Sequence, residues 1–205
     1  MLTHVNLLLL LTLLCATPGA PASPASSDDP ESGVELLGRP APPWTFTRWI
    51  RGGPYKPADL KGKVVLLRWW TDGCHFCRTT LPVIDKEQSA DVVVIGVYHP
   101  KPAPRKVRDA DVLAFARDIG FTGPIALDEK WKTLERYWLA ANPERSWTSV
   151  SFLIDRDGVI RWVHGGGEYH PSDDPAHHRC DLEFRDFEKA LDAAVAAPAT
   201  PVANP

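Results

Sequence analysis

Charge of one sign is what this sequence lacks: 23 Lys and Arg stand against 26 Asp and Glu in 205 residues, a formal net charge of −3. That balance argues against a nucleic-acid binder, which would carry a basic patch or a high isoelectric point. Long apolar runs are missing as well. The leucine-rich stretch LLLLLTLL at 7–14 falls well short of the ~20 residues that a bilayer-spanning helix needs. Nothing repeats at solenoid spacing, and an apolar fraction of 44% is too high for wholesale disorder. Cysteine is sparse, with four residues in all, so each one has to be accounted for. Proline is plentiful, with 20 residues, seven of them outside 34–192. A chain of this length defaults to one domain, since a single core typically serves about 100–200 residues.

The stretch at 7–14 is followed by small residues and proline, which is the order of a secretory leader. Ala20 and Ala22 satisfy the small-x-small rule, so cleavage is expected after Ala22 and residues 1–22 are a signal peptide. The leader's first residues carry no Lys or Arg, and Leu14 stands before Cys15 where lipoprotein processing wants a small residue. A buried N-terminal helix would need an amphipathic continuation, which the sequence does not supply. Residues 23–33, SPASSDDPESG, have the composition of a flexible linker. Residues 34–192 form the folded domain, and 193–205 are expected to be a disordered tail. The protein is then exported, periplasmic or extracellular, free of the membrane once the leader is cleaved and tethered if it is retained.

Inside the domain, VVLLRWW at 64–70 and VVVIGVY at 92–98 read as buried strands. The intervening 74–88 reads as a helix capped near Thr71 or Asp72 and kinked at Pro82. Residues 107–119 place Val107, Val112, Phe115, Ala116 and Ile119 near one helical face, and Gly120 ends the pattern. A short strand at 124–127 and a helix over 129–138 follow. Residues 150–154 and 159–163 flank Asp155-Arg156-Asp157-Gly158, the signature of a β-hairpin. Residues 182–194 read as a closing amphipathic helix. The order describes an α/β fold with a mixed central sheet and helices on both faces.

Loss of the leader would leave three cysteines, Cys74, Cys77 and Cys180. Cys74-His75-Phe76-Cys77 follows a buried strand and opens a helix. At i and i+3 the two sulfurs can reach disulfide distance. Cys74 sits nearest the helix start, where free N–H groups and the helix dipole favour a thiolate, and Cys77 lies one turn deeper. A zinc or copper site would need further ligands, for which His177, His178 and Cys180 are the candidates. A structural disulfide with so small a loop adds little stability. A peroxide-reducing thiol is the remaining reading, since Thr71-x-x-Cys74 has the spacing of peroxiredoxins, although Leu67 stands where their motif has proline.

These residues resemble the thioredoxin fold and, within it, the exported TlpA-like redoxin group. The resemblance spans about 35–192 and rests on LGRPAPPW at 37–44, VVLLRWWTDGCHFC at 64–77, Pro82 and FLIDRDGVIR at 152–161. HGGGEY at 164–169 also looks like the glycine-rich turn of domains attached to DipZ-type electron-transfer proteins. The resemblance implies a thiol–disulfide oxidoreductase with Cys74 as nucleophile and Cys77 as resolving thiol, and no bound cofactor. Its partners would be protein thiols and disulfides in the exported compartment, together with an upstream thiol–disulfide donor or acceptor.

Three departures from that pattern bear on the chemistry. Ser149, after Thr148, occupies the position of the family's cis-proline. A non-proline cis bond costs about 2.5–4 kcal/mol, so a trans peptide or a rebuilt loop is expected, and with it altered docking of substrate backbone. Arg68 replaces a buried Asp six residues before Cys74; pointing inward, it would favour thiolate, and otherwise it pairs with an acid or snorkels to the surface. Thr80 replaces a Glu, which leaves water, Asp72 or His75 to move protons. His75 next to Cys74 would act in the same direction as Arg68, whereas the resemblance alone implies a reductant.

His164, His170, His177, His178 and Cys180 crowd together with Glu168, Asp173 and Asp174. Their spacing matches no standard metal-ligand frame, so a polar loop ahead of the last helix is the expected role and no metal site is assigned. Trp69 and Trp70 alternate along a strand, one filling the core and the other, taken as Trp70, lying beneath the active-site turn. Aromatics left exposed around Cys74, Phe76 among them, would form the docking surface for partners.

Overall fold

A computed structural model describes residues 29–102 and 105–199. The signal peptide expected over 1–22, with Cys15, lies outside the described residues, as do most of the linker and residues 200–205. Among the described residues no helix is long and apolar enough to cross a membrane.

The described residues hold six strands and four α-helices. In order they are β1 (Arg48–Arg51), β2 (Val64–Trp70), α1 (His75–Ile84), β3 (Val92–Tyr98), α2 (Asp109–Asp118), β4 (Ile125–Leu127), α3 (Lys132–Tyr137), β5 (Ser151–Ile154), β6 (Ile160–His164) and α4 (His178–Ala196). They build one mixed sheet in the order β1-β4-β3-β2-β5-β6. The βαβ unit of β2, α1 and β3 pairs parallel with Val64 opposite Val92, and β5 pairs antiparallel to β2 with Leu67 opposite Phe152. The α/β architecture is the expected thioredoxin-like one.

All seven residues of β2 are buried because the strand is covered on both faces. Alternation sends Leu66 and Trp70 into one core with Cys77, Leu81, Ala116 and Phe187, beneath α1, α2 and α4. Leu67 and Trp69 enter the opposite core with Tyr137, Trp138 and Phe152, beneath α3. Arg68 falls by the same parity on the side of α1.

Several boundaries differ from those the sequence suggests. β1 carries no apolar alternation and was not anticipated; it is a short edge strand, antiparallel to β4, with all four residues partly exposed. The helix expected over 74–88 ends at Ile84 and tightens into a 3₁₀ turn over Asp85–Glu87, just past Pro82, which has no N–H to donate. α3 starts later than expected because the Asp128 carboxylate accepts from the N–H groups of Thr133 (3.2 Å) and Leu134 (2.8 Å). α4 starts earlier, at His178, and runs into the expected tail as far as Ala196, where Arg156 donates to the Val195 carbonyl at 3.0 Å. The end of the expected linker is also fastened: the Glu31 carboxylate accepts from the backbone of Ser146 (2.7 Å) and Trp147 (3.2 Å), and Arg145 donates to the Pro30 carbonyl (2.7 Å).

Candidate active site

β2 ends at Trp70, and the Thr71–Gly73 turn delivers the chain to α1, with Gly73 at a φ of 73° that suits glycine. Cys74 is the N-cap of α1, and its Sγ accepts from the Cys77 N–H at 3.2 Å. Cys74 and Cys77 are joined in a disulfide. Cys77 is fully buried, whereas Cys74 is partly exposed. An incoming thiolate therefore finds only the Cys74 sulfur within reach.

The segment ahead of β5 closes over the pair. Trp69 donates to the Val150 carbonyl at 2.9 Å, which sets Thr148 and Ser149 alongside the motif. The Ser149 hydroxyl lies 3.5 Å from both sulfurs. The Thr148–Ser149 peptide is trans, as the cost of a non-proline cis bond requires. A hydroxyl thus faces the disulfide at the place where the resemblance led one to look for a proline ring.

Arg68 points inward and is fully buried. Its guanidinium donates to the Gly167 carbonyl (2.7 Å) and to Ser151 Oγ (3.3 Å), lies over the Tyr169 ring at 5.6 Å, and keeps Nε without a partner. No carboxylate among the described residues pairs with it. Burial depresses its pKa to about 10, which still leaves it charged at neutral pH. Thr80, in place of the expected acid, is buried and accepts from the Tyr169 N–H at 3.3 Å. Arg68, Ser151, Tyr169 and Thr80 thus form one buried polar group, which reaches α1 at Thr80.

Asp72 is exposed but held. Tyr98 Oη donates to it at 2.6 Å, Arg105 at 2.5 Å and Thr71 Oγ1 at 3.2 Å. Desolvation acts to raise its pKa, but these donors outweigh it and hold the carboxyl below the usual range. Burial and the bond to Asp72 push Tyr98 up to about 12. Asp72 is thus a poor proton donor at neutral pH. The Thr71 hydroxyl serves Asp72, while the Thr71 carbonyl takes the Cys74 N–H at 3.4 Å.

His75 is exposed, with its ring 6.0 Å from that of Phe76. Phe76 packs at 5.7 Å against Trp147, which is 43% exposed and forms an apolar patch beside Cys74. Trp70 is fully buried between Tyr98 and Phe115, so it has no surface to offer a partner. His164 lies apart from the other histidines, paired with Glu183 at 3.1 Å and held below its ordinary pKa mainly by burial.

Sequence reasoning missed His99. It follows β3, is buried, and its Nε2 meets Thr148 Oγ1 at 2.9 Å. Burial, reinforced by Lys101, depresses its pKa to about 3. A lone histidine after a strand carries no motif that would have singled it out. Tyr169 was quoted within the glycine-rich turn, but not as the group packed between Arg68, Ser151 and Thr80.

With this geometry in view, comparisons with known proteins converge. The AhpC/TSA family model matches residues 37–163, more than half of the chain. DipZ of Mycobacterium tuberculosis is 33% identical over 132 residues, covering 60% of this chain but only 18% of that protein. The chain therefore spans less than a fifth of that relative's length. The thiol-disulfide oxidoreductase ResA of Geobacillus kaustophilus is 26% identical over 139 residues, 65% of this chain and 71% of that one. A solution structure provisionally named a protein disulfide isomerase, from Bacteroides thetaiotaomicron, aligns with a TM-score of 0.60 at 26% identity, over 78% of this chain and 91% of that one. A DsbF homologue from Corynebacterium diphtheriae shares the fold, with a TM-score of 0.56 at 20% identity over 75% and 85% of the two chains.

Proposed function

The chain belongs to the AhpC/TSA family and carries a C-x-x-C pair on a thioredoxin-like fold, and from that premise we propose that it exchanges disulfides with protein partners outside the cytoplasm. The observation that carries this reading is the asymmetry of the Cys74–Cys77 disulfide, one sulfur reachable and the other buried.

In the reduced protein the Cys74 thiolate attacks a partner disulfide. An S–S bond forms between Cys74 and the partner, and the partner's other sulfur leaves as a thiolate. Cys77 then gives up its proton to water and attacks the Cys74 sulfur. The Cys74–Cys77 disulfide closes and the partner's second thiolate is released. Two electrons pass from the pair to the partner, and the reverse sequence oxidises a partner dithiol. The Cys77 N–H and the Ser149 hydroxyl favour thiolate at Cys74, and Arg68 acts on the pair from below. Thr148 and Ser149 line the approach, and the Phe76–Trp147 patch docks the partner chain. His75 and Asp72 sit at the rim of this surface. An upstream thiol–disulfide donor or acceptor resets the pair, and the leader at 1–22 supports export. Peroxide reduction is disfavoured because the Thr71 hydroxyl serves Asp72.

A redox titration of the chain, with free thiols trapped by alkylation and counted by mass, tests the reading. Cys74 and Cys77 are expected to titrate together as one two-electron couple above the roughly −300 mV that marks resistant structural bridges. A pair that stays oxidised to lower potentials would reduce it to a structural disulfide.

A further inference from the structure

Four side chains outside the redox pair converge where the chain leaves β6 and enters α4. Glu168 and His170 come from the extended segment after β6. His177 ends the 3₁₀ turn Pro175–His177, and Cys180 lies in the first turn of α4. One ligand atom from each lies within 4.8 Å of those of the other three. The backbone ties the two segments together, since the His170 N–H donates to the Cys180 carbonyl at 3.3 Å.

The spacings within this group are informative. His177 Nδ1 lies 3.6 Å from Glu168 Oε1, Cys180 Sγ lies 3.8 Å from His177 Nδ1, and Cys180 Sγ lies 4.0 Å from Glu168 Oε1. The nitrogen–oxygen distance exceeds the ~2.7–3.2 Å of a good hydrogen bond. Tetrahedral zinc, with bonds of about 2.0–2.3 Å, sets its ligand atoms roughly 3.3–3.8 Å apart. The three separations are close to the edges of such a tetrahedron. His170 supplies an independent sign. It is 9% exposed, its Nδ1 is 3.1 Å from the Pro171 carbonyl, and its Nε2 is buried with no hydrogen-bond partner. A carbonyl that takes the Nδ1 proton leaves the Nε2 lone pair free, which is how histidine ligands to zinc are commonly oriented. An orphaned buried nitrogen costs free energy that a metal bond would offset.

We propose that Glu168, His170, His177 and Cys180 form a binding site for a borderline divalent transition-metal ion, zinc first among them. A thiolate, a carboxylate and two neutral imidazoles balance a dipositive ion, which suits a half-buried position. The pattern E-x-H followed by H-x-x-C escapes the standard sequence frames because its first half lies on an extended loop rather than a knuckle or helix. The site is separate from the redox pair, whose sulfurs are bonded to each other and belong to no such group among the described residues. Glu168 is flanked by Gly167, whose carbonyl holds Arg68, and by Tyr169, whose N–H donates to Thr80 of α1. A metal here would pin the loop that positions Arg68.

The full chain with its Cys74–Cys77 disulfide closed, stripped by a chelator, is the material for the test. Zn2+ is titrated against a chromogenic chelator, and Co2+ serves as the spectroscopic probe. The expected result is a single ion per chain and a Co2+ adduct with a thiolate charge-transfer band and tetrahedral d–d absorption. Cys180→Ser should abolish the charge-transfer band. Cys180→Ser and, separately, His177→Ala at a half-exposed ring should weaken Zn2+ by at least about tenfold, with circular dichroism unchanged. The Cys74→Ser/Cys77→Ser double variant should bind as the parent does. Failure to bind Zn2+, parent-like affinity in Cys180→Ser and His177→Ala, or a Co2+ spectrum without a thiolate band would each overturn the proposal.

Discussion

At Arg68 a full positive charge is enclosed with a carbonyl, a hydroxyl and an aromatic face for company. A cation in a low-dielectric surrounding stabilises thiolate over thiol, and hence the reduced pair over the disulfide. Arg68→Met should therefore lower the midpoint potential by tens of millivolts, at about 30 mV for each ~1.4 kcal/mol of lost stabilisation, and should raise the Cys74 pKa. Equilibration with a glutathione buffer and the pH dependence of alkylation read the two effects. The fold should tolerate the change, because hydrophobic replacement of buried charge is often neutral or better; an unaltered potential would remove Arg68 from the redox machinery. His99 leads to a pH prediction. Its pKa of about 3 in the folded chain lies below the ordinary value of 6.5. Well above pH 6.5 the ring is neutral in both states, so its ionisation has no effect on stability. Between there and about pH 3 the unfolded chain takes up a proton that the folded chain refuses, and stability falls by up to ~1.4 kcal/mol per pH unit. His99→Gln, which can still bond Thr148, should flatten this acid limb. Urea midpoints measured from neutrality down to about pH 4 would show the wild type losing more than the variant, and parallel curves would contradict it.

Elements were legible where burial writes itself into composition. β2 and β3 are unbroken apolar runs, and the β5–β6 hairpin is announced by its Asp-Gly turn, in which Asp155 Oδ1 accepts from Asp157 and Val159 at 2.9 Å each. β1 was not legible, because a four-residue edge strand needs little apolar content. The clasp made by residues 29–33 was invisible for another reason: Glu31 finds Ser146 across 115 residues, and no local pattern encodes such a pairing. The glycine-rich turn after β6 carries the other half of that clasp. A Cβ at Gly165 would stand 1.7 Å from the Glu31 carbonyl oxygen, and one at Gly166, whose φ is 131°, 2.6 Å from Trp147 Cβ. Gly165→Ala should accordingly expel the 29–33 segment at a cost of about 1–3 kcal/mol. Amide exchange at Ser146 and Trp147, which donate to Glu31, should speed up together with the fall in melting temperature. Exchange left at the parent rate would mean that the segment rides over the change.

For the whole molecule, the C-x-x-C was readable because strand and helix patterns bracket it, and Arg68 and Ser149 stood out only against the family that the sequence resembles. The docking patch needed the fold, which brings Trp147 against Phe76 from a loop 71 residues away. If that patch receives partner chains, Trp147→Ala should slow reduction of a disulfide-bonded protein such as insulin several-fold while leaving reaction with dithiothreitol unaltered. Equal slowing of both would instead indicate a disturbed sulfur site. If the buried Arg68 charge acts on the pair, it has a consequence for the stability of the entire domain. Folding and reduction form a thermodynamic cycle, so any preference of the fold for the dithiol shows up as extra stability of the reduced protein. The disulfide closes only a tiny loop and restrains the unfolded chain little. In the proposed exchange Arg68, the Cys77 N–H and the Ser149 hydroxyl would each favour the thiolate of the reduced pair. The reduced domain should thus melt above the oxidised one, by a few degrees if the preference is about 1–2 kcal/mol, and Arg68→Met should narrow the gap. Calorimetry of both redox forms tests this. A higher melting temperature for the oxidised form would mean that the fold favours the disulfide, and the protein would then be a reductant whose potential Arg68 does not govern.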